Sequence, residues 1–223
     1  MEILFDTAHL ADIEEMTPIY PVSGVTTNPT IIKAEGRIDF YPHFRRIREI
    51  IGRGRTLHIQ ALSQDAEGII ADAHKLLEEV DENVYIKIPT TEQGIRAMRL
   101  LKAEGIGVTA TAIYSKTQGI LAIAAGADYI APYFNRMESL DIDTVSTIKS
   151  LAKFIDRHGA RCQIMAASFK NVAQVSAAFE AGATAVTVPP QLLRAALNTP
   201  DVAQAVQAFT TDWHDTFETD GLP

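Results

Sequence analysis

The chain has 223 residues, 47% of them hydrophobic, which suits one large domain with an ample core. A formal net charge of -8 leaves no basic field for nucleic acid or acidic lipid, although a small basic pocket could still hold a phosphate. The single cysteine, Cys162, excludes an internal disulfide, and no run approaches the ~18 apolar residues of a membrane span. The first residues, MEILFDT, follow a strand pattern and not that of a signal segment, so a soluble, cytoplasmic protein is expected.

Eight short β-like runs follow one another: EILFD (2–6), VSGVTT (22–27), LHIQA (57–61), VYIKI (84–88), GVTATAI (107–113), YIAPY (129–133), QIMAAS (163–168) and AVTVP (185–189). Helical patterns separate them. In AEGIIADAHKLLEEV the apolar Ala66, Ile69, Ile70, Ala73, Leu76, Leu77 and Val80 recur at three- and four-residue spacing and leave one charged face. Residues 91–103, 115–125, 143–158 and 171–181 each supply a crossover long enough for a parallel connection. Gly52-Arg53-Gly54-Arg55 reads as a turn before the third strand, because no helix start follows it to receive an anion. Repeated β-α units in a chain of this length predict a single (β/α)8 TIM barrel over residues 1–223. Beyond the last strand, Val202, Val206, Phe209, Trp213 and Phe217 form one stripe of a helix expected at about 201–218. That stripe either closes the bottom of its own barrel or packs on a neighbouring subunit.

Strand alternation turns Val84, Ile86 and Ile88 outward and Tyr85 and Lys87 inward. The same parity, choosing polar strand ends, places Asp6, Thr26 with Asn28 just beyond it, Gln60, Thr111, Tyr133 and Ser168 at the C-terminal mouth. Their inward neighbours nearer the strand starts, Leu4, Gly24, Tyr85, Ala131 and Ala166, are mostly apolar or small. Active sites of such barrels lie at that mouth. A buried lysine needs a partner or sheds its proton, so Lys87 has a structural alternative, an ion pair with Asp6. The convergence of the other polar ends argues for chemistry instead.

A lysine with pKa ~10.4 is almost wholly protonated near neutral pH, and a desolvating barrel interior lowers that value. Free amine can attack a ketone and pass through a carbinolamine to an iminium, an electron sink for cleavage of the adjacent carbon-carbon bond. That chemistry needs no metal or other cofactor, and the six histidines and one cysteine show no ligand spacing. His58, one layer below Gln60, reads as a satisfied core histidine, and Cys162 as a packing residue.

Asp6-Thr7, GVTTNPTII (24–32), IKIP (86–89), LLKAEGI (100–106), TAIY (111–114), AGADYIAPYFNR (125–136) and AASFK (166–170) resemble the transaldolase family, and most closely its short fructose 6-phosphate aldolase branch. The resemblance runs nearly end to end in colinear order. It implies that Lys87 forms the Schiff base, that Asp6 and Asn28 hold the dihydroxyacetone hydroxyls, and that Arg136 and Ser168 bind the phosphate, with Thr26 beside them among the binding residues. Lys170 could assist but is expected to be a surface charge at a helix start, and the alternative for Arg136 is a solvated loop residue or a pair with Glu138. Gln60 and Tyr133 stand where transaldolases carry glutamate and phenylalanine. A water held by Tyr133, Gln60 and Thr111 is then expected to relay protons. The implied reaction is reversible cleavage of fructose 6-phosphate, a small-molecule sugar phosphate, to dihydroxyacetone and glyceraldehyde 3-phosphate. Transfer of the dihydroxyacetone unit between sugar phosphates is the alternative, and a sugar-phosphate-binding barrel without turnover is a third reading. Homo-oligomers, pentamers or decamers, are implied as well. His58 and Pro189-Pro190 depart from the branch's pattern.

Overall fold

The computed structural model describes residues 1–222. Eight parallel strands, β1 (Glu2–Asp6), β2 (Gly24–Thr26), β3 (Thr56–Gln60), β4 (Val84–Pro89), β5 (Val108–Ile113), β6 (Tyr129–Pro132), β7 (Gln163–Ala166) and β8 (Ala185–Val188), close into a barrel in chain order. Eleven helices surround or extend it: α1 (Leu10–Met16), α2 (Pro29–Ala34), α3 (Phe40–Ile51), α4 (Ala66–Glu79), α5 (Glu92–Ala103), α6 (Lys116–Ala124), α7 (Phe134–Glu138), α8 (Thr144–His158), α9 (Val172–Glu180), α10 (Pro190–Leu197) and α11 (Pro200–Phe217). The expected (β/α)8 barrel is therefore the observed fold.

The loops that follow the strands end in helix caps, which fixes where each crossover begins. Asp65, Thr91, Ser115, Asp143 and Asn171 each accept a backbone N–H of the first turn with their side chains. Helix α4 then buries Ala66, Ile69, Ala73 and Leu76 against the barrel, and each large side chain contributes about 1.5–3 kcal/mol of burial. Between strands and helices lies the main apolar layer, with Val25, Ile59, Ile86, Ile88, Ala110, Ile130, Ile164, Val186 and Val188 turned outward. A smaller cluster inside the barrel joins Leu4, Tyr129, Met165 and Ala185, with Tyr85 packed against it. Gly24 is required where β2 crowds β3, because a Cβ there would collide with the Thr56 carbonyl.

Two expectations are decided, and two short helices join the predicted elements. On β7 it is Met165 that points inward, whereas Ala166 belongs to the outer layer, so alternation along QIMAAS places the strand one residue out of phase. Helices α7 and α10, both short, had no clear periodic signal. The C-terminal helix does not close its own barrel. It has no buried residue, and Val202, Val206, Phe209 and Phe217 are 53%, 57%, 69% and 49% exposed. Among the described residues no helix is long and apolar enough to cross a membrane.

Candidate active site

On the inner face, polar groups begin beside the small apolar cluster at the barrel floor. His58 is fully buried and stacks on Tyr85, with Nδ1 2.8 Å from Thr109 Oγ1 and Nε2 2.9 Å from Thr56 Oγ1. Burial first, then the charges of Lys87 and Arg48, hold its pKa well below the ordinary histidine value, so it is a neutral, satisfied core residue as expected. Cys162 is a packing residue too, its thiol pushed up to about 12 by burial.

One layer higher, register brings Lys87 between Gln60 on β3 and Thr109 on β5. The ammonium end donates to the Thr27 carbonyl at 2.7 Å, so the partner it finds is a backbone carbonyl and not the direct ion pair with Asp6 that was the structural alternative. Asp6 accepts instead from Thr26 Oγ1 at 2.8 Å, and Thr26 Oγ1 also lies 2.6 Å from Thr187 Oγ1. Burial is the leading influence on both ionisable groups and acts to discharge them. It lowers Lys87 and raises Asp6, against their weaker mutual attraction and the Thr26 hydrogen bond.

Above them opens a cavity of about 400 Å³, lined among others by Asp6, Asn28, Gln60, Lys87, Tyr133, Arg136, Ser168 and Lys170. Asn28 caps α2, its Oδ1 accepting from Thr30 and Ile31 N–H groups, so the amide nitrogen is left for a ligand. The Tyr133 hydroxyl lies 3.0 Å from Thr111 Oγ1, and burial raises its pKa against the opposing influence of that hydrogen bond and of Arg136. Its phenol remains protonated and can donate. The Arg136 guanidinium sits 4.9 Å over the Tyr133 ring and donates to the Tyr114 hydroxyl at 3.1 Å. It does not pair with Glu138, which accepts from Gln174 Nε2 instead.

Seven of the nine sequence-predicted site residues line this one cavity. Thr26 and Thr111 do not. Both are buried beneath it, where Thr26 bonds Asp6 and Thr111 bonds Tyr133. Ser168 reaches the mouth for a reason other than alternation: its φ of 66° turns it out of the strand path. Lys170 is exposed just ahead of the α9 cap, Asn171, as expected, and also lines the cavity mouth beside Ser168. Thr187, Thr27 and Ala112 were missed. Thr187 was legible, as the one polar residue inside an otherwise apolar last strand. Thr27 acts through its carbonyl and Ala112 through backbone shape, neither of which a side-chain pattern reports.

A closed barrel with a buried, unpaired lysine at a polar strand-end mouth defines a class of enzyme that can work through an amine. The family profile described as transaldolase/fructose-6-phosphate aldolase matches residues 3–220. Over 213 residues the chain is also 49% identical to a Streptococcus pneumoniae (strain ATCC 700669 / Spain 23F-1) protein described as "Probable fructose-6-phosphate aldolase", covering 96% of each chain. The chain belongs to the transaldolase/fructose-6-phosphate aldolase family and is an enzyme of that aldolase/transaldolase type.

Proposed function

We propose that the protein is a class I aldolase that reversibly cleaves fructose 6-phosphate to dihydroxyacetone and glyceraldehyde 3-phosphate. The observation that carries this reading is the pairing of a desolvated Lys87, free of any salt bridge, with the protonated Tyr133 and amide Gln60 at the same mouth. The name of the pneumococcal relative supports the substrate.

In this reading the free amine of Lys87 attacks the substrate ketone, and loss of water from the carbinolamine gives the iminium. A base takes the proton of the carbon 4 hydroxyl, the carbon 3 to carbon 4 bond breaks, and its electron pair moves to the iminium nitrogen. Glyceraldehyde 3-phosphate leaves and an enamine remains. Protonation at carbon 3 and hydrolysis then free dihydroxyacetone and regenerate the amine. A water between Tyr133, Gln60 and Thr111 carries these protons, with Asp6 and Asn28 on the donor hydroxyls. Arg136 and Ser168 hold the phosphate, the guanidinium as a planar, permanently charged fork.

Fructose 6-phosphate supplied without an acceptor tests the assignment. Free dihydroxyacetone should accumulate, and borohydride should trap substrate on Lys87. If no free dihydroxyacetone forms, and fructose 6-phosphate is consumed only when an acceptor aldose phosphate is added and carries the dihydroxyacetone unit away as a longer ketose phosphate, the enzyme is a transaldolase instead. We also propose that a second copy of the chain covers the exposed stripe of α11, as the family resemblance implies for a homo-oligomer.

A further inference from the structure

Ala112 and Ser168 both line the candidate site and both hold the left-handed backbone conformation without being glycine, with φ of 58° and 66°. A residue with a Cβ disfavours that conformation, which persists only where the surroundings impose it. At Ser168 the turn delivers a hydroxyl to the mouth. Ala112 has no functional group to deliver, so its conformation matters through the backbone on either side.

Between the pairs Ala110 with Ile130 and Ile113 with Pro132, β5 advances three residues and β6 only two. Ala112 thus sits within a bulge that adds one residue to β5 and breaks its alternation: Ile113 returns to the outer apolar layer. The two residues flanking Ala112 both hold Tyr133. Thr111 Oγ1 lies 3.0 Å from the phenol oxygen, and the Ile113 carbonyl accepts the Tyr133 backbone N–H at 3.0 Å. A regular strand would separate and orient those two groups differently.

We propose that Ala112 is a positioning residue: its left-handed turn fixes the spacing between the Thr111 hydroxyl and the Ile113 carbonyl, and so clamps Tyr133 at both ends in the geometry that controls the fate of the enamine. The link to the enamine rests on the function proposed above; the clamp itself rests on the bulge alone. Replacing Ala112 by glycine is the informative change. Glycine adopts this φ without strain, so the fold is kept, but it no longer restricts the chain to one conformation.

The test is a double-mutant cycle on Ala112→Gly and Tyr133→Phe, read as the ratio of free dihydroxyacetone to transferred dihydroxyacetone with fructose 6-phosphate and an acceptor aldose phosphate. Ala112→Gly should lower the ratio about tenfold in the otherwise native enzyme, with KM little changed, and leave it unaltered when Tyr133 is already phenylalanine. An equal factor in both backgrounds, or no effect in the native background, overturns the proposal. A crystal structure of the Ala112→Gly enzyme reads the clamp without turnover. Loss or multiplicity of the Thr111–Tyr133 hydrogen bond supports it, and an unchanged bulge with that bond intact overturns it. If Tyr133→Phe alone leaves the ratio unchanged, the role given to Tyr133 in the enamine's fate falls, and the crystallographic arm still decides the clamp.

Discussion

Lys87 Nζ hydrogen-bonds to the backbone carbonyl of Thr27 at 2.7 Å, and the partly buried Asp6 carboxylate is turned to Thr26 instead. A carbonyl can orient an amine but cannot neutralise an ammonium, so desolvation acts on Lys87 with little compensation. Replacing Lys87 by methionine should therefore leave thermal stability equal or higher, because a costly buried cation is exchanged for an apolar chain of similar length. Cleavage of fructose 6-phosphate should fall by on the order of 10³-fold or more with the covalent intermediate gone. A thermal melt and a borohydride-trapping assay on one preparation check both halves. Unimpaired turnover in Lys87→Met would remove the lysine from the mechanism.

The pH dependence follows with a definite sign. Lys87 is lowered from 10.5, so the reactive free amine grows in as pH rises through a midpoint below that value. The Asp6 charge is the one influence that raises Lys87, and removing it in Asp6→Asn should shift the alkaline-rising limb of single-turnover adduct formation to lower pH. A shift to higher pH would mean that the two groups do not face each other electrostatically as the structure has them.

His58 ties the barrel floor to acid stability. In the unfolded chain it takes a proton near pH 6.5, whereas in the folded protein burial keeps it neutral until well below that. The unfolded state thus binds more protons as pH falls below 6.5, and this group removes stability at up to about 1.4 kcal/mol per pH unit in that window. His58→Gln should be less stable than the native protein at neutral pH, having lost a ring that stacks on Tyr85, but its stability should decline less steeply from pH 6.5 to 5. Urea unfolding at a series of pH values compares the two slopes.

These residues also show what a sequence can and cannot reveal. The barrel is legible because each crossover repeats the same physics, an apolar helical stripe started by a capping side chain after a short buried strand. Lys87, Gln60 and Asp6 are legible because they sit in strands of regular alternation, where parity alone decides direction. Alternation fails where the backbone leaves the pleat. The phase of β7 was misjudged because Met165 and Ala166 are both acceptable on either face, and Ser168 reached the mouth only through a left-handed φ. Likewise, Lys87's partner is a carbonyl, which every residue possesses, so no residue type could have announced it.

Arg136 offers a prediction that separates binding from chemistry. Its guanidinium is held over the Tyr133 ring and against the Tyr114 hydroxyl, which fixes the fork at the rim of the cavity. Charge-assisted hydrogen bonds of about 1.5–3 kcal/mol correspond to roughly 10- to 150-fold in affinity. Arg136→Ala should raise KM for fructose 6-phosphate by about that factor with kcat reduced much less, and should leave the unphosphorylated ketone dihydroxyacetone unaffected as a donor. Equal losses for phosphorylated and unphosphorylated substrates would show that Arg136 acts on the geometry of Tyr133 and not on phosphate.

The exposed helix α11 carries the last prediction. Its stripe leaves Val206 57% and Phe209 69% exposed, while Trp213 is mostly covered, its ring tilted against Phe217 and its indole N–H donated to the Gly221 carbonyl at 3.1 Å. The tail that returns to Trp213 orders the end of the helix, yet among the described residues nothing buries Val202, Val206 or Phe209 before it. An apolar stripe of this length on a free monomer favours association, and with a second copy as the proposed cover, Val206→Glu with Phe209→Glu should dissociate the assembly. Light scattering should then report the mass of a single chain, with circular dichroism retaining the barrel's signal, because no buried residue of the barrel is altered. If the native protein is itself monomeric at micromolar concentration, the assignment of a second copy to this face is wrong.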